Sequence, residues 1–416
     1  MMGDEGAYCL VLSGGGAKGV YHIGVWRALR ELGLPIEAFI GTSIGAIIAA
    51  MLAQGSEEAL EAIGRSISLD NVLAIPKGLG QDGGPRFGKE AFEELRRLLL
   101  SLIENKGLDT NPLRRLIADN IDEEAIRKGG KDFGIVTVDI SSLKPREVFI
   151  EKMEQGSVID YLMASSALPG FKQQRIEGKA YLDGGLYDNI PFAMARKRGY
   201  RRIIVSDISG IGFSKKPQIE GGETVYIKNS IDMGGVLDFD RDFLERFTLL
   251  GYLDTLRSFG KLVGYSYFLE PNAAAEADYA GRPLPDRVEY PEAKRHDRRR
   301  LLVSLECAAS VLGVERLRRY DYAGLAAAIA GRREEVETKV RDTLSRTDKG
   351  AASLSGALRQ AIAERRFDDC PYYYYRLIEG ALPGTAGSVL LRALLRLNPE
   401  LPLGLAYLAP EAAGRA

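Results

Sequence analysis

A serine between two glycines is the first candidate for chemistry in this sequence. Residues 41–45 read Gly-Thr-Ser-Ile-Gly, with apolar runs on both sides. This G-x-S-x-G pattern between a strand and a helix is typical of a nucleophile elbow, a tight turn that exposes the serine hydroxyl. The flanking Gly41 and Gly45 let the chain reverse without a Cβ clash. The pattern predicts Ser43 as a nucleophile, although five residues alone are weak evidence.

An aspartate followed by two glycines is the second candidate. Asp183-Gly184-Gly185 comes at the end of a predicted strand, and active sites of α/β proteins form at the carboxyl ends of strands. A serine hydroxyl becomes a good nucleophile only when a base takes its proton. Alone, this triplet is typical of a turn; together with Ser43 it supplies a nucleophile and a base.

A glycine-rich loop is the third candidate. Residues 14–19 read Gly-Gly-Gly-Ala-Lys-Gly between a predicted strand and a predicted helix. Unpaired amides at a helix N-terminus can bind an anion. The loop also fits the dinucleotide pattern G-x-G-x-x-G, with Glu37 as the acid for a ribose, but Glu37 lies at the start of its strand. No Ser or Thr follows Lys18, so the phosphate-binding P-loop pattern is not met.

Histidine is scarce, and this restricts the choice of base. The chain has two histidines, His22 in a predicted helix and His296 in a charged run, and neither is a promising partner for Ser43. The base is then the carboxylate of Asp183, which makes a Ser-Asp dyad. A carboxylate is a weak base in water, but burial raises its pKa.

Alternating strands and helices would position these groups. Apolar runs predict strands at 8–13, 37–41, 133–140, 147–150, 202–207 and 223–228, with a hairpin at 173–182. Helical periodicity predicts helices at 20–32, 44–53, 158–168 and 190–197. This order predicts an α/β protein, a mostly parallel sheet with helices on both faces, that is, three layers.

Two regions differ from this core. Residues 56–131 are predicted to be a helical insertion, with a Gly-rich link at 77–88 and an amphipathic helix at 89–105. This insertion either covers the active site as a lid or only packs against the core. After residue 235 the strand signal fades and helices predominate. The sequence therefore predicts a catalytic domain over 1–235 and a helical C-terminal region over 236–416.

The composition argues against several classes of protein. The formal net charge is −1 and the sequence pI about 6.3, so a nucleic-acid partner is not expected. Three widely spaced cysteines match neither a disulfide framework nor a metal site and favour a reducing compartment. The first residues lack the basic charge of a signal peptide, and the longest apolar run, 38–53, is too short to span a bilayer. We expect a cytoplasmic protein.

In order and spacing, the three motifs resemble those of the patatin-like phospholipase family. GGGAKG is similar to its oxyanion loop, GTSIG to its nucleophile elbow, and YLDGGLYDNIP, with Asn189 and Pro191, to its catalytic aspartate motif. The stretch ASSALPGF at 164–171 is also similar to a family segment. The resemblance covers about residues 8–210. More weakly, residues 251–268 resemble bacterial members that have a long C-terminal extension.

The resemblance implies a patatin-like α/β/α core and a role for each motif. Ser43 would form the acyl-enzyme, and Asp183 would take its proton and later activate water. The amides of Gly15, Gly16 and Lys18 would form the oxyanion hole. The other motif glycines are Gly14, Gly19, Gly41, Gly45, Gly184 and Gly185. The family needs no metal or other cofactor, and its members cleave lipid esters as phospholipase A or lysophospholipase, so we expect a phospholipid or related substrate at a membrane surface.

Two other functions stay open at this point. A nucleotide-binding oxidoreductase would use the loop at 14–19 but would leave GTSIG and DGG without a role. A catalytically idle relative would act as an interaction protein through its helical C-terminal region, and the three intact motifs argue against it.

Overall fold

The chain divides into two compact units, Met1–Ser258 and Phe259–Ala416. The computed structural model describes residues 6–72, 109–142, 144–168, 171–172, 174–210, 221–231, 239–280, 291–294, 298–346, 358, 370–382 and 384–409. The predicted link at 77–88, the predicted helix at 89–105 and His296 lie outside these ranges. The division falls after Ser258 rather than after residue 235 because the helix Arg241–Ser258 packs within the first unit.

A mixed, mainly parallel sheet forms the centre of the first unit. Its strands are β1 (Tyr8–Leu12), β2 (Ile36–Thr42), β3 (Asp132–Asp139), β4 (Lys144–Phe149), β5 (Gln174–Ile176), β6 (Lys179–Asp183), β7 (Arg202–Asp207) and β8 (Glu223–Lys228). Their order is β5-β6-β3-β2-β1-β7-β8, and β4 pairs with β3. Each neighbouring pair within the run β3-β2-β1-β7-β8 is parallel. The pairs β3–β4, β3–β6 and β5–β6 are antiparallel.

Helices cover both faces of this sheet. They are α1 (Val20–Glu31), α2 (Ile44–Ala53), α3 (Glu57–Ser66), α4 (Leu69–Val72), α5 (Asn111–Asn120), α6 (Glu123–Lys128), α7 (Val158–Ser165), α8 (Phe192–Arg198) and α9 (Arg241–Ser258). On β2, Ala38 and Ile40 join a buried cluster with Phe192 of α8. Phe39, between them, points to the other face and packs edge-to-face on Trp26 of α1, 5.6 Å between ring centroids. The predicted three-layer α/β/α fold is confirmed.

The strand order places the ends of β1 and β2 where open α/β sheets usually bind ligands. From β1 the chain adds β2 and β3 on one side, and it later adds β7 and β8 on the other. Loops after the strands on either side of such a reversal separate and leave a crevice at the carboxyl edge of the sheet. The glycine-rich loop at 14–19 follows β1 directly and therefore lies at this crevice.

The second unit is mainly helical, as predicted. Its elements are α10 (Ala273–Ala280), α11 (Arg300–Leu312), α12 (Tyr322–Arg346), α13 (Pro371–Ala381), α14 (Thr385–Leu397) and α15 (Leu401–Leu408), with a short parallel pair β9 (Phe268–Leu269) and β10 (Arg319–Tyr320). A shared apolar core contains Leu325, Ile378 and Leu394. None of the helices in the described ranges combines the length and the hydropathy required to cross a bilayer.

Candidate active site

Ser43 occupies a sharp turn between β2 and α2. Its φ of 55° and ψ of −129° are unusual for a residue with a side chain, and such a conformation costs about 1–3 kcal/mol that the surroundings must offset. The neighbouring glycines are required by contact. A Cβ on Gly41 would lie 2.3 Å from the carbonyl carbon of Gly45, and a Cβ on Gly45 would lie 2.4 Å from the Leu12 oxygen. The turn has the geometry of a nucleophile elbow.

Hydrogen bonds from neighbouring elements hold the strained elbow. The hydroxyl of Ser165, at the end of α7, accepts a hydrogen bond from the Ser43 amide (2.9 Å) and donates one to the Val136 carbonyl (2.7 Å). The Thr42 hydroxyl donates to the Asp188 carbonyl (3.1 Å). Sequence reasoning did not identify Ser165, although it lies within ASSALPGF, whose family resemblance was the one available signal.

The register of the sheet places Asp183 beside the elbow. Strand β3 extends past the end of β2: Thr42 pairs with Val136, and the next residue, Thr137, pairs with Asp183 of β6. Because β4 occupies the other edge of β3 at this level, β6 continues on the edge that β2 has left. The ends of β2 and β6 therefore meet. A Cβ on Gly184 would lie 2.3 Å from the Val136 oxygen, which shows how close this approach is.

The Asp183 carboxylate lies beside the Ser43 hydroxyl. The carboxylate is only 3% exposed, and it also accepts the amide of Gly185 at 2.8 Å. Burial raises the pKa of Asp183 to about 6, and the Gly185 amide and the Ser43 hydroxyl offset part of that rise. A carboxylate with this pKa is a much better general base near neutral pH than an exposed one.

The glycine-rich loop is fastened to the aspartate motif by Asn189. The Gly14 amide donates to the Asn189 side-chain oxygen (3.1 Å), and the Asn189 side-chain nitrogen donates back to the Gly14 carbonyl (3.2 Å). A Cβ on Gly14 would lie 3.0 Å from Cβ of Ser43. The loop, the elbow and the aspartate motif thus meet at one point.

The three amides assigned to the oxyanion hole differ in their partners. The Lys18 amide donates to the Gly15 carbonyl at 3.3 Å, so it is partly engaged within the loop. The amides of Gly15 and Gly16 make no hydrogen bond within the described part of the chain. Gly16, at a φ of 59°, also lines the cavity beside Ser43.

His22 is a structural residue with no contact to Ser43. Its Nε2 lies 2.9 Å from the Ser13 carbonyl, and its Nδ1 lies 2.7 Å from the Ser206 hydroxyl. A carbonyl only accepts, so Nε2 carries the proton and Nδ1 accepts from Ser206. Burial lowers the pKa of His22 to about 4, and the imidazole is neutral at physiological pH. It ties α1 to the ends of β1 and β7, a role that sequence reasoning missed.

The described residues give little support to a nucleotide or metal site. Glu37 lies at the start of β2, whereas Ser43 follows its end, and its carboxylate pairs with Lys131 at 3.5 Å. The acid is therefore at the opposite end of the strand from the glycine loop. Within the described ranges, no three His, Cys, Asp or Glu side chains converge as a metal ligand set.

An apolar cavity opens beside the elbow. It measures about 980 Å³ including its open mouth. The residues that line it come from the glycine loop, α1 to α5 and the segments around 166–171 and 239: Gly16, Ala17, Gly19, Val20, Ile23, Ser43, Ile44, Ile47, Ile48, Met51, Leu60, Ile63, Gly64, Ile67, Val72, Leu113, Leu116, Ile117, Asn120, Ile121, Ser166, Leu168, Phe171 and Phe239. Nothing in the sequence pattern had predicted this cavity, because its walls come from segments far apart in the chain.

Known proteins resemble the first unit. Residues 10–196 match the family model of patatin-like phospholipases. A Caenorhabditis elegans patatin-like phospholipase domain-containing protein, ZK370.4, is 30% identical over 207 residues, which is 49% of this chain and 14% of that protein. The lysophospholipase NTE1 of Coccidioides immitis is 29% identical over 204 residues, 49% of this chain and 11% of that protein. This chain thus spans only a small part of the length of these relatives.

A solved structure also resembles the whole chain loosely. VipD from Legionella pneumophila aligns over 98% of this chain and 93% of its own, with 14% sequence identity and a TM-score of 0.40. A TM-score this low does not establish a shared fold. The family resemblance predicted from the three motifs is confirmed by the sequence match of residues 10–196 to the patatin-like phospholipase family.

Proposed function

We propose that this protein hydrolyses carboxylic esters of lipids, with Ser43 as the nucleophile and Asp183 as the base. The observation that carries the proposal is the position of the Ser43 hydroxyl beside the buried Asp183 carboxylate. The names of the matching family and of the fungal relative, a phospholipase and a lysophospholipase, support a lipid substrate. We expect a phospholipid or lysophospholipid, taken from a membrane surface.

In the first half of the reaction, Asp183 takes the proton of Ser43 as Oγ attacks the ester carbonyl carbon. The carbonyl oxygen becomes an oxyanion, which the amides of Gly15 and Gly16 would stabilise; losing one such donor costs roughly two to three orders of magnitude in turnover. When the tetrahedral intermediate collapses, the alcohol leaves with the proton from Asp183. The fatty acyl group stays on Ser43 as an ester.

In the second half, water replaces the alcohol. Asp183 accepts a proton from that water while the oxygen attacks the acyl carbon, and the same two amides would hold the second oxyanion. Collapse returns the proton to Oγ of Ser43 and releases the fatty acid. A pKa of about 6 suits both directions of proton transfer, because the carboxylate is ionised at pH 7 and still basic enough to accept a proton.

Fatty-acid release by the purified full chain tests this proposal. Vesicles of phosphatidylcholine and micelles of lysophosphatidylcholine are the substrates. We expect Ser43→Ala to lower the rate by roughly three orders of magnitude or more. Ser206→Ala removes the serine hydroxyl that bonds His22 and is the matched control, expected to retain activity. Wild-type rates from Ser43→Ala would refute the proposed nucleophile.

A further inference from the structure

The amide of Gly15, one of the groups assigned to the oxyanion hole, belongs to the peptide unit that joins Gly14 to Gly15. This unit is trans. In a planar trans peptide the carbonyl and the amide point in opposite directions. Any contact that fixes the direction of the Gly14 carbonyl therefore also fixes the direction of the Gly15 amide.

The loop that follows β7, residues 207–210, packs against this peptide unit. We name these residues the β7 loop. A Cβ on Gly210 would lie 2.0 Å from the Gly14 oxygen and 2.7 Å from Cα of Gly15. The φ of Gly210 is outside the left-handed range, so space rather than backbone conformation requires glycine there. A Cβ on Gly15 would lie 2.6 Å from Cδ1 of Ile208, whose side chain is fully buried. The β7 loop thus contacts both residues of the peptide unit.

Asn189 holds the same carbonyl from the aspartate motif. Its side-chain nitrogen donates to the Gly14 oxygen at 3.2 Å. A rotation of the peptide unit would break this hydrogen bond or drive the Gly14 carbonyl into the backbone of Gly210. The amide of Gly15 therefore keeps one direction.

Hydrogen bonds fix the conformation of the β7 loop itself. The carboxylate of Asp207 accepts the amide of Ser209 at 2.8 Å and the hydroxyl of Tyr226, on β8, at 2.7 Å. The amide of Ile208 donates to the hydroxyl of Ser13, just after β1, at 3.0 Å. Ser209 has a φ of 50°, a conformation that a residue with a side chain keeps only when its surroundings impose it. The sheet thus determines where the loop meets the glycine-rich loop.

We propose that the β7 loop positions the oxyanion hole, by holding the peptide between Gly14 and Gly15 so that the Gly15 amide is directed at the developing oxyanion. This inference rests on the proposed function, in which that amide stabilises the oxyanion. Ile208 and Gly210 are positioning residues, because they act through the peptide unit. Both lie outside the segment 10–196 that matches the family model.

Hydrolysis of p-nitrophenyl butyrate by the full chain tests the inference. In Gly210→Ala the added methyl group must displace the Gly14 carbonyl. We expect kcat to fall about 10- to 100-fold, part of the two to three orders of magnitude that a lost oxyanion donor costs. KM should stay within about twofold of wild type, because the affected interaction forms in the transition state. Gly331→Ala is the matched control and should keep both constants, since a Cβ there meets no atom within 4 Å.

Two readouts separate positioning from general damage to the fold. An alkyl trifluoromethyl ketone adds to a serine hydroxyl: Oγ of Ser43 bonds to the ketone carbon, the proton passes to Asp183, and the ketone oxygen becomes an oxyanion. Its inhibition constant should rise in Gly210→Ala by about the factor by which kcat falls, as for a transition-state analogue. The limb of the pH profile near pH 6 should stay in place, because the variant leaves Asp183 unchanged.

A graded pair of variants at Ile208 gives an independent test and replaces Gly210→Ala if that variant does not fold. Ile208→Ala removes the atoms that pack on Gly15, and we expect it to lower kcat about three- to tenfold. Ile208→Val keeps the branch at Cβ and should recover most of that loss. In both variants KM should again stay within about twofold of wild type.

The outcomes separate this inference from the proposed function. Wild-type kcat in folded Gly210→Ala and in Ile208→Ala would overturn the role of the β7 loop alone. A change confined to KM, unchanged inhibition by the ketone, or a shift of the limb near pH 6 would overturn it as well. A wild-type protein that neither hydrolyses an ester nor binds the ketone would overturn both proposals.

Discussion

The hydroxyls of Ser43 and Ser206, both in the first unit, each lie beside a buried titratable side chain, and their surroundings differ. Ser43 lies beside Asp183, in a strained turn that lines an apolar cavity. Ser206 bonds to His22 at 2.7 Å, and both side chains are 0% exposed. By residue type alone, the serine–histidine pair is the more familiar one for nucleophilic catalysis. Its position within the sheet, where Ser206 pairs with Leu12, leaves no path for a substrate.

Burial moves the two pKa values in opposite directions for one reason. Taking a side chain out of water disfavours its charged form, so the pKa of Asp183 rises to about 6 while that of His22 falls to about 4. The aspartate becomes a better base than usual, and the histidine becomes a worse one. Access to a cavity and the direction of these shifts, rather than residue type, therefore distinguish the two pairs.

Replacing the two partners should give the largest difference. We expect Asp183→Asn, which keeps the shape but cannot take a proton, to lower ester hydrolysis by roughly three orders of magnitude or more. His22→Gln should lower it less than about tenfold, since it loses only structural hydrogen bonds. Fatty-acid release at pH 8 measures both. Full activity in Asp183→Asn, together with complete loss in folded His22→Gln, would make His22 rather than Asp183 the base.

The dependence of kcat/KM on pH should report Asp183. Below pH 6 the base becomes protonated, so we expect kcat/KM to fall about tenfold for each pH unit and to level off above pH 7. This limb should persist in His22→Gln. A limb near pH 4, or one that disappears in His22→Gln, would assign the base to the histidine instead.

The smallest effect is on stability, with opposite signs for the two pairs. The folded-state pKa of Asp183 lies above its ordinary value of 3.8, so its carboxylate costs stability as pH rises through 4 to 6. We expect Asp183→Asn to raise the free energy of unfolding by about 1–3 kcal/mol at pH 8 and not at pH 4. Urea denaturation at both values measures this. Destabilisation by Asp183→Asn at pH 8 would contradict the burial of an ionised carboxylate.

His22 should behave in the other direction. Its folded-state pKa of about 4 lies below the ordinary 6.5, so its stabilising effect is present above pH 6.5 and is lost as pH falls towards 4. We expect His22→Gln to lower the free energy of unfolding by about 1–3 kcal/mol at pH 8. That deficit should shrink at pH 4, because the unfolded wild-type imidazole then binds a proton, which favours unfolding of the wild type.

Local motifs predicted much of the fold and of the candidate site. The elbow at Ser43 follows from two glycines that permit a sharp turn, and the strand and helix on each side follow from apolar runs. Several strand ends agree within one or two residues; Arg202–Asp207 and Glu223–Lys228 agree at both ends. In such segments, interactions between near neighbours determine the structure.

Features that join distant segments could not be predicted in the same way. The placement of Asp183 beside Ser43 depends on β6 pairing with β3 beyond the end of β2, a register set by packing across residues far apart in sequence. The support of the elbow by Ser165 is another such contact. Phe239, which lies outside the matched segment 10–196, contributes to the cavity wall. The role of the insertion as a lid stays a prediction.

Covalent labelling with a fluorophosphonate tests whether Ser43 is an activated nucleophile that a substrate can reach. The reagent reacts with a serine hydroxyl that a base activates and that a substrate can reach. Peptide mass spectrometry of the labelled full chain at pH 8 should place one phosphonyl group on Ser43, with labelling strongly slowed in Asp183→Asn and unaffected in Ser206→Ala. A label on Ser206, or labelling of Ser43→Ala at the wild-type rate, would exclude Ser43 as the nucleophile.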